Sequence, residues 1–166
     1  MRIAQIAPIV ESVPPKKYGG TERVVHALTE RLVKKGHEVT LFASGDSKTS
    51  ANLVSVYPRS LKEANFEDLY GANCYTMLNI GQAYSMQDQF DIIHDHTGFY
   101  ALPAAQISQT PVVMTSHGPI TPEVKYVYQL LDNPFLVSIS KSQAKPAPHL
   151  NWDLEILTKN GLSSSW

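Results

Sequence analysis

Apolar residues in this chain come in short runs separated by stretches of helical periodicity. The run at 3–7 predicts a buried strand. After a loop of roughly ten residues, Val24, Leu28 and Leu32, with Val25 and Val33 beside them, recur at helical spacing. Glu22 falls in the first turn of that helix, Lys34 and Lys35 in its last, and Gly36 just past its end. A buried strand at 39–43 then closes a βαβ unit, and 53–57 predicts a shorter strand. The stretch 69–87 reads as a helix with Tyr70, Cys74, Met77, Leu78, Gly81 and Tyr84 along one face, which makes Cys74 a packing residue. Further strands are predicted at 91–94, 111–115 and 135–139. The helices between them run over 100–107, broken by Pro103, and 122–131. A helix starts at 140–144 and is cut short by Pro146 and Pro148; a last strand is predicted at 154–157.

Short apolar strands alternating with amphipathic helices predict an α/β fold: a Rossmann-like parallel sheet with helices on both faces. Ligands of such sheets bind beyond the carboxyl ends of the strands. Gly19-Gly20, Ser44-Gly45-Asp46, Asp95-His96, His117-Gly118 and Ser140 all follow predicted strands, so they converge on one rim.

At 166 residues with 43% hydrophobic content the chain predicts one domain with a core of its own. A net charge of −1 without a basic block disfavours nucleic acid and anionic membranes as partners. The single cysteine rules out an intrachain disulfide and suits a reducing cytosol. No run approaches the length of a membrane span, and the N-terminus lacks a signal-peptide pattern, so the expected location is cytoplasmic.

Lys17-Tyr18-Gly19-Gly20-Thr21-Glu22-Arg23 carries the sharpest chemical signal. A strand, a glycine loop and a helix start aim backbone N–H groups and a positive helix end at one point, which suits a phosphate. Gly20 would let the phosphate approach the backbone. A dinucleotide site is the first rival, since Asp46 follows the second strand, but the Gly-x-Gly-x-x-Gly fingerprint is absent. His94, His96 and His117 allow a metal reading; a buried His94 satisfied by backbone is the simpler one. His117, beside Gly118-Pro119, suits a rim histidine that donates a hydrogen bond to a sugar hydroxyl or a carbonyl oxygen. Glu22 and Glu30 share one helix face but sit about 12 Å apart along the axis, too far for joint acid–base work. They read as a solvated face.

Five segments, in order, resemble the N-terminal half of the retaining glycosyltransferases of family 4. They are Tyr18-Gly19-Gly20-Thr21-Glu22-Arg23-Val24-Val25, the stretch 32–43, the stretch 90–96, the stretch 112–118 and the stretch 137–143. The resemblance implies one half of a GT-B architecture, in which two Rossmann-like domains face each other across a cleft with no obligatory metal or other cofactor. It implies an acceptor-side domain over 1–157 and a tail at 158–166 where a linker to a second domain would begin. It implies that Gly19, Gly20, Thr21 and Gly118 approach the donor phosphate and sugar, that His117 is the catalytic contact near the reacting carbon, and that Asp95, His96 and Tyr100 touch the acceptor. The implied substrates are a nucleotide-sugar and a sugar or small-molecule acceptor. The family's second domain carries a glutamate pair with seven residues between its members (Glu-x7-Glu), whereas Glu155 is the one glutamate after Ser140. A separate donor-binding domain, possible self-association through uncovered apolar faces, and the alternative of a non-catalytic binding module all follow as expectations.

Overall fold

The computed structural model describes residues 1–65, 69–130, 133–150 and 152. Its elements run β1 (Arg2–Ile6), α1 (Gly20–Lys34), β2 (Glu38–Phe42), β3 (Asn52–Val54), α2 (Leu69–Ser85), β4 (Ile92–Asp95), α3 (Leu102–Ile107), β5 (Val112–Ser116), α4 (Pro122–Gln129), β6 (Phe135–Ser138) and α5 (Lys141–Ala144). The six strands form one sheet in the order β3-β2-β1-β4-β5-β6, and each neighbouring pair is parallel. The sheet is thus doubly wound, and the direction of winding reverses between β1 and β4.

Alternate residues of each strand face opposite sides. Ala4, Ile6, Phe42, Ile93, Met114 and Leu136 point to one side and pack with Ile80, Ala83 and Tyr84 of α2, Leu102 and Ala105 of α3, and Tyr128 of α4. Leu41, Ala43 and Ala7 pack on the other side with Val25 of α1. Fully burying one such aliphatic side chain contributes about 1.5–3 kcal/mol. Helices therefore cover both faces, as the alternating pattern predicts.

Several boundaries differ from expectation for identifiable reasons. Gly36 takes φ +84° and ends α1 as predicted, its N–H donating to Val33 O at 2.9 Å. β3 is shorter than the predicted strand because the sheet ends there and the chain turns at Ser55, whose hydroxyl bonds Tyr57 O at 2.6 Å. Pro103 does not break its helix. It sits in the first turn of α3, where its missing N–H has no intrahelical acceptor to lose.

Most of the predicted inner face of α2 turns outward, Tyr84 being the residue of it that stays buried. Tyr70, Met77 and Leu78 are exposed, as is Cys74, while Asn79, Ile80, Ala83 and Tyr84 are buried. Asn79 turns inward because its amide donates to Ala7 O at the end of β1. The end of the 122–131 helix at Leu131, the strand at 154–157 and the tail at 158–166 lie outside the described residues.

Candidate functional site

The parallel register fixes what meets at the carboxyl edge of the sheet. Gln5 of β1 pairs with His94 of β4, and His94 pairs with Val113 of β5. Stepping two residues along β4 and β5 keeps the same face, so His94, His96, Thr115, His117 and Gln5 share one side. Gln5 is fully buried in the middle of an apolar strand, and His96 is buried beside it. A polar side chain so placed needs partners.

Those partners form one continuous chain. His117 Nε2 lies 2.9 Å from His96 Nδ1, and His96 Nε2 lies 3.1 Å from Gln5 Oε1. Gln5 Nε2 lies 3.4 Å from His94 Nδ1, and His94 Nε2 lies 2.8 Å from Thr115 Oγ1. The rings also lie close, with centroids 4.2 Å apart for His94 and His96 and 5.2 Å for His96 and His117. Burial holds the pKa of His94 and of His117 down to about 4 and that of His96 well below its usual value. All three rings are therefore neutral near pH 7. Side chains, not backbone, satisfy His94.

The metal alternative loses its geometry here, because facing nitrogens of His96 and His117 bond each other. Among the described residues no cluster of three or more His, Cys, Asp or Glu is arranged to hold an ion.

His117 borders a concavity of about 400 Å³ shared with His96, Thr97, Phe99, Gly118, Thr121 and Tyr128. Its loop is stapled from below. Gln143 Nε2 donates to Ser116 O at 2.9 Å and to Gly118 O at 2.6 Å, while Gln143 Oε1 accepts from Ile139 N at 2.8 Å. Ser140 caps α5 by accepting from Gln143 N at 3.1 Å, which holds Gln143 in that position. A second, shallow concavity beside Glu30, Arg31, Lys34 and Lys35 lies at the far end of α1, away from this edge.

Asp95 and Tyr100, expected at the acceptor, do not line the concavity. The Asp95 carboxylate is fully buried and accepts from Thr97 N and Thr97 Oγ1, each at 2.7 Å, and from Tyr84 Oη at 3.4 Å. It thereby fixes the turn that carries His96 and Thr97. Burial lifts its pKa to about 6 and also raises that of Tyr84. Tyr100 bonds Asn73 Oδ1 at 3.2 Å and stacks on Phe99, and it is Phe99 that reaches the concavity.

The glycine loop occupies the same sheet edge, following β1 as His117 follows β5, but Gly19, Gly20 and Thr21 lie outside this concavity. Gly19 precedes α1, and its residue makes no side-chain cap. The first N–H groups of a helix have no intrahelical acceptor and give its end a positive character; here the Glu22 N–H is taken by its own carboxylate. A Cβ on Gly20 would meet nothing within 4 Å, leaving its backbone open. A Cβ on Gly19 would stand 2.7 Å from Pro15 Cβ and 2.8 Å from Glu22 Oε2. Gly19 is thus demanded by packing. Gly20 leaves room for a ligand.

Glu22 is not solvated, as helical periodicity suggested; it is 6% exposed. Its carboxylate folds back under the loop, and burial raises its pKa despite a hydrogen bond from its own backbone. Glu30 is engaged as well, accepting from Thr49 Oγ1 and Ser50 Oγ at 2.6 Å each. Burial pushes its pKa up, but the bonds from Ser50 and Thr49 prevail and the net shift is downward.

Sequence reasoning missed Gln5 and the stapling role of Gln143. A glutamine inside an otherwise apolar strand was the available signal for Gln5; nothing local marks Gln143.

A comparison with curated proteins finds no match. Among solved structures the chain is similar to AviGT4, a glycosyltransferase involved in avilamycin A biosynthesis, with 23% identity and a TM-score of 0.53. The similarity covers 87% of this chain and 38% of AviGT4, so the chain spans well under half the length of that protein. It shows a shared fold, the Rossmann-like half of a GT-B architecture. The Glycosyltransferase Family 4 profile matches residues 18–150. With that match over most of its length, the chain belongs to Glycosyltransferase Family 4.

Proposed function

We propose that this domain is the acceptor-side half of a retaining glycosyltransferase that draws on a nucleotide-sugar and closes its site against a separate donor-binding domain. The reading rests on one observation: His117 borders an open concavity with its ring held by His96, on the sheet edge where α1 starts at an open Gly20. Glycosyl transfer builds positive charge at the anomeric carbon and negative charge on the departing diphosphate. Free N–H groups and the positive end of α1 favour that anion without a metal, so Gly20 and Thr21 serve the diphosphate in this reading. His117 and Gly118 meet the donor sugar, and the acceptor enters past His96 and Phe99. Asp95 acts by holding the turn beneath them. A dry, closed cleft strengthens each of these contacts and sets the reactants in line.

Titration of the ¹⁵N-labelled chain with UDP-glucose, GDP-mannose and ADP-glucose tests this reading through backbone amide shifts. The amides of Gly20, Thr21, His117 and Gly118 should move together with one of the three. Shifts confined to other surfaces, or none up to the solubility of the ligands, would overturn it. Transfer of sugar by the isolated chain would overturn the need for a separate donor-binding domain.

A further inference from the structure

A primary amide is asymmetric, since its oxygen only accepts hydrogen bonds and its nitrogen only donates them. Gln5 lies between two histidines with the oxygen toward His96 and the nitrogen toward His94. Because Gln5 Oε1 accepts, the proton of neutral His96 sits on Nε2. His96 Nδ1 is then bare and accepts from His117, which places the proton of His117 on its own Nε2. Toward the other end, the Gln5 N–H donates to His94 Nδ1, and His94 Nε2–H donates to Thr115 Oγ1. Each link has one donor and one acceptor, and all run in the same direction.

His117 Nδ1 is left with no partner among the described residues, on a ring that borders the concavity. We infer that Gln5 is a positioning residue: through His96 it keeps the proton of His117 on Nε2, so that bare Nδ1 meets a polyhydroxyl ligand as a hydrogen-bond acceptor. This reverses the polarity that a rim histidine suggests from sequence, which is that of a donor. Such a ring selects an O–H group and disfavours a carbonyl or phosphate oxygen, because two acceptors would face each other. The depressed basicity of the three rings keeps one proton on each near pH 7 and so keeps the relay directional. Proton placement on His117 is independent of which sugar the concavity takes, so it can be tested whether or not a nucleotide-sugar binds.

Two-bond ¹H–¹⁵N correlation spectra of histidine-labelled chain distinguish protonated from bare ring nitrogens. In the wild-type chain His117, His96 and His94 should each show the Nε2–H form. Gln5→Met, of similar length but apolar, should shift the His117 ring nitrogens toward a mixture of both forms. Gln5→Glu should leave His117 as Nε2–H, since a carboxylate still accepts from His96, but should move the proton of His94 to Nδ1. A merely structural glutamine would not produce that selective swap. An Nδ1–H form of His117 in the wild type, or a His117 signal unchanged in Gln5→Met, would overturn the inference. Should Gln5→Met not fold, the wild-type spectrum and Gln5→Glu decide: a His117 proton moved in Gln5→Glu, or a His94 proton unmoved, would also overturn it.

Discussion

His96 Nδ1 lies 2.9 Å from His117 Nε2 although the two residues are 21 positions apart, on loops that follow neighbouring strands. One ring therefore orients the other. His117→Ala should lower kcat/KM for sugar transfer, measured with a donor-binding domain present, by about 10²-fold, the scale on which a preorganised polar contact acts. His96→Phe keeps the volume but removes the orienting nitrogen, and should cost about tenfold, as outer-shell partners do. Equal activity of His96→Phe and wild type would remove the orienting role.

The two adjacent glycines should behave differently. Gly19→Ala drives a methyl into the rigid Pro15 ring, which cannot move aside cheaply, and toward the buried Glu22 carboxylate. It should lower stability by about 1–3 kcal/mol, the usual cost of overpacking. Gly20→Ala meets open space, so chemical denaturation should show little change, while the amide shifts caused by a diphosphate ligand should weaken. Equal stability losses at both positions would contradict this division.

Acid should destabilise the domain before it touches ordinary carboxylates. His94 and His117 stay neutral in the folded chain to about pH 4, and burial likewise holds His96 well below its usual value, but each titrates near 6.5 when unfolded. Between those limits the unfolded chain binds more protons, so stability falls as pH falls. Asp95, raised to about 6 by burial, and Glu22, also raised, work in the opposite direction because the folded chain takes up their protons first. Three rings outnumber two carboxyls. The thermal midpoint should therefore be lower at about pH 5 than at pH 7, and a higher one would refute the balance.

Cys74 should react with a thiol reagent such as DTNB in the folded chain, at a rate close to that in denaturant. Protection that disappears only on unfolding would mean that α2 buries the face carrying Tyr70, Met77 and Leu78. It would also point to self-association over that face, which sedimentation would detect.

Where periodicity and turn chemistry decide structure, the sequence was legible. The strands of β1, β2, β4, β5 and β6, the helix α1 with its Gly36 end, and the cluster of rim residues at one sheet edge all follow from local pattern. α2 was misread because it carries apolar residues on more than one side, so composition alone could not say which stripe faces the sheet. Asn79 settles it through a bond to Ala7 O, a residue 72 positions away. Glu22 was misread for a related reason, since helical spacing cannot reveal that the loop at Pro15 and Gly19 folds over its carboxylate.

The residue pattern by itself determined the fold class, the parallel edge where ligands gather, and His117 and Gly20 as residues worth attention. Period and turn preference act over a few residues, and they are written locally. Tertiary structure alone decided the polarity of the site. Gln5, His94, His96, Thr115 and His117 come from three strands, and only the sheet register brings the amide of one between the rings of two others. Hydrogen-bond direction depends on which atoms end up within about 3 Å of each other, and the linear order of residues carries no record of that.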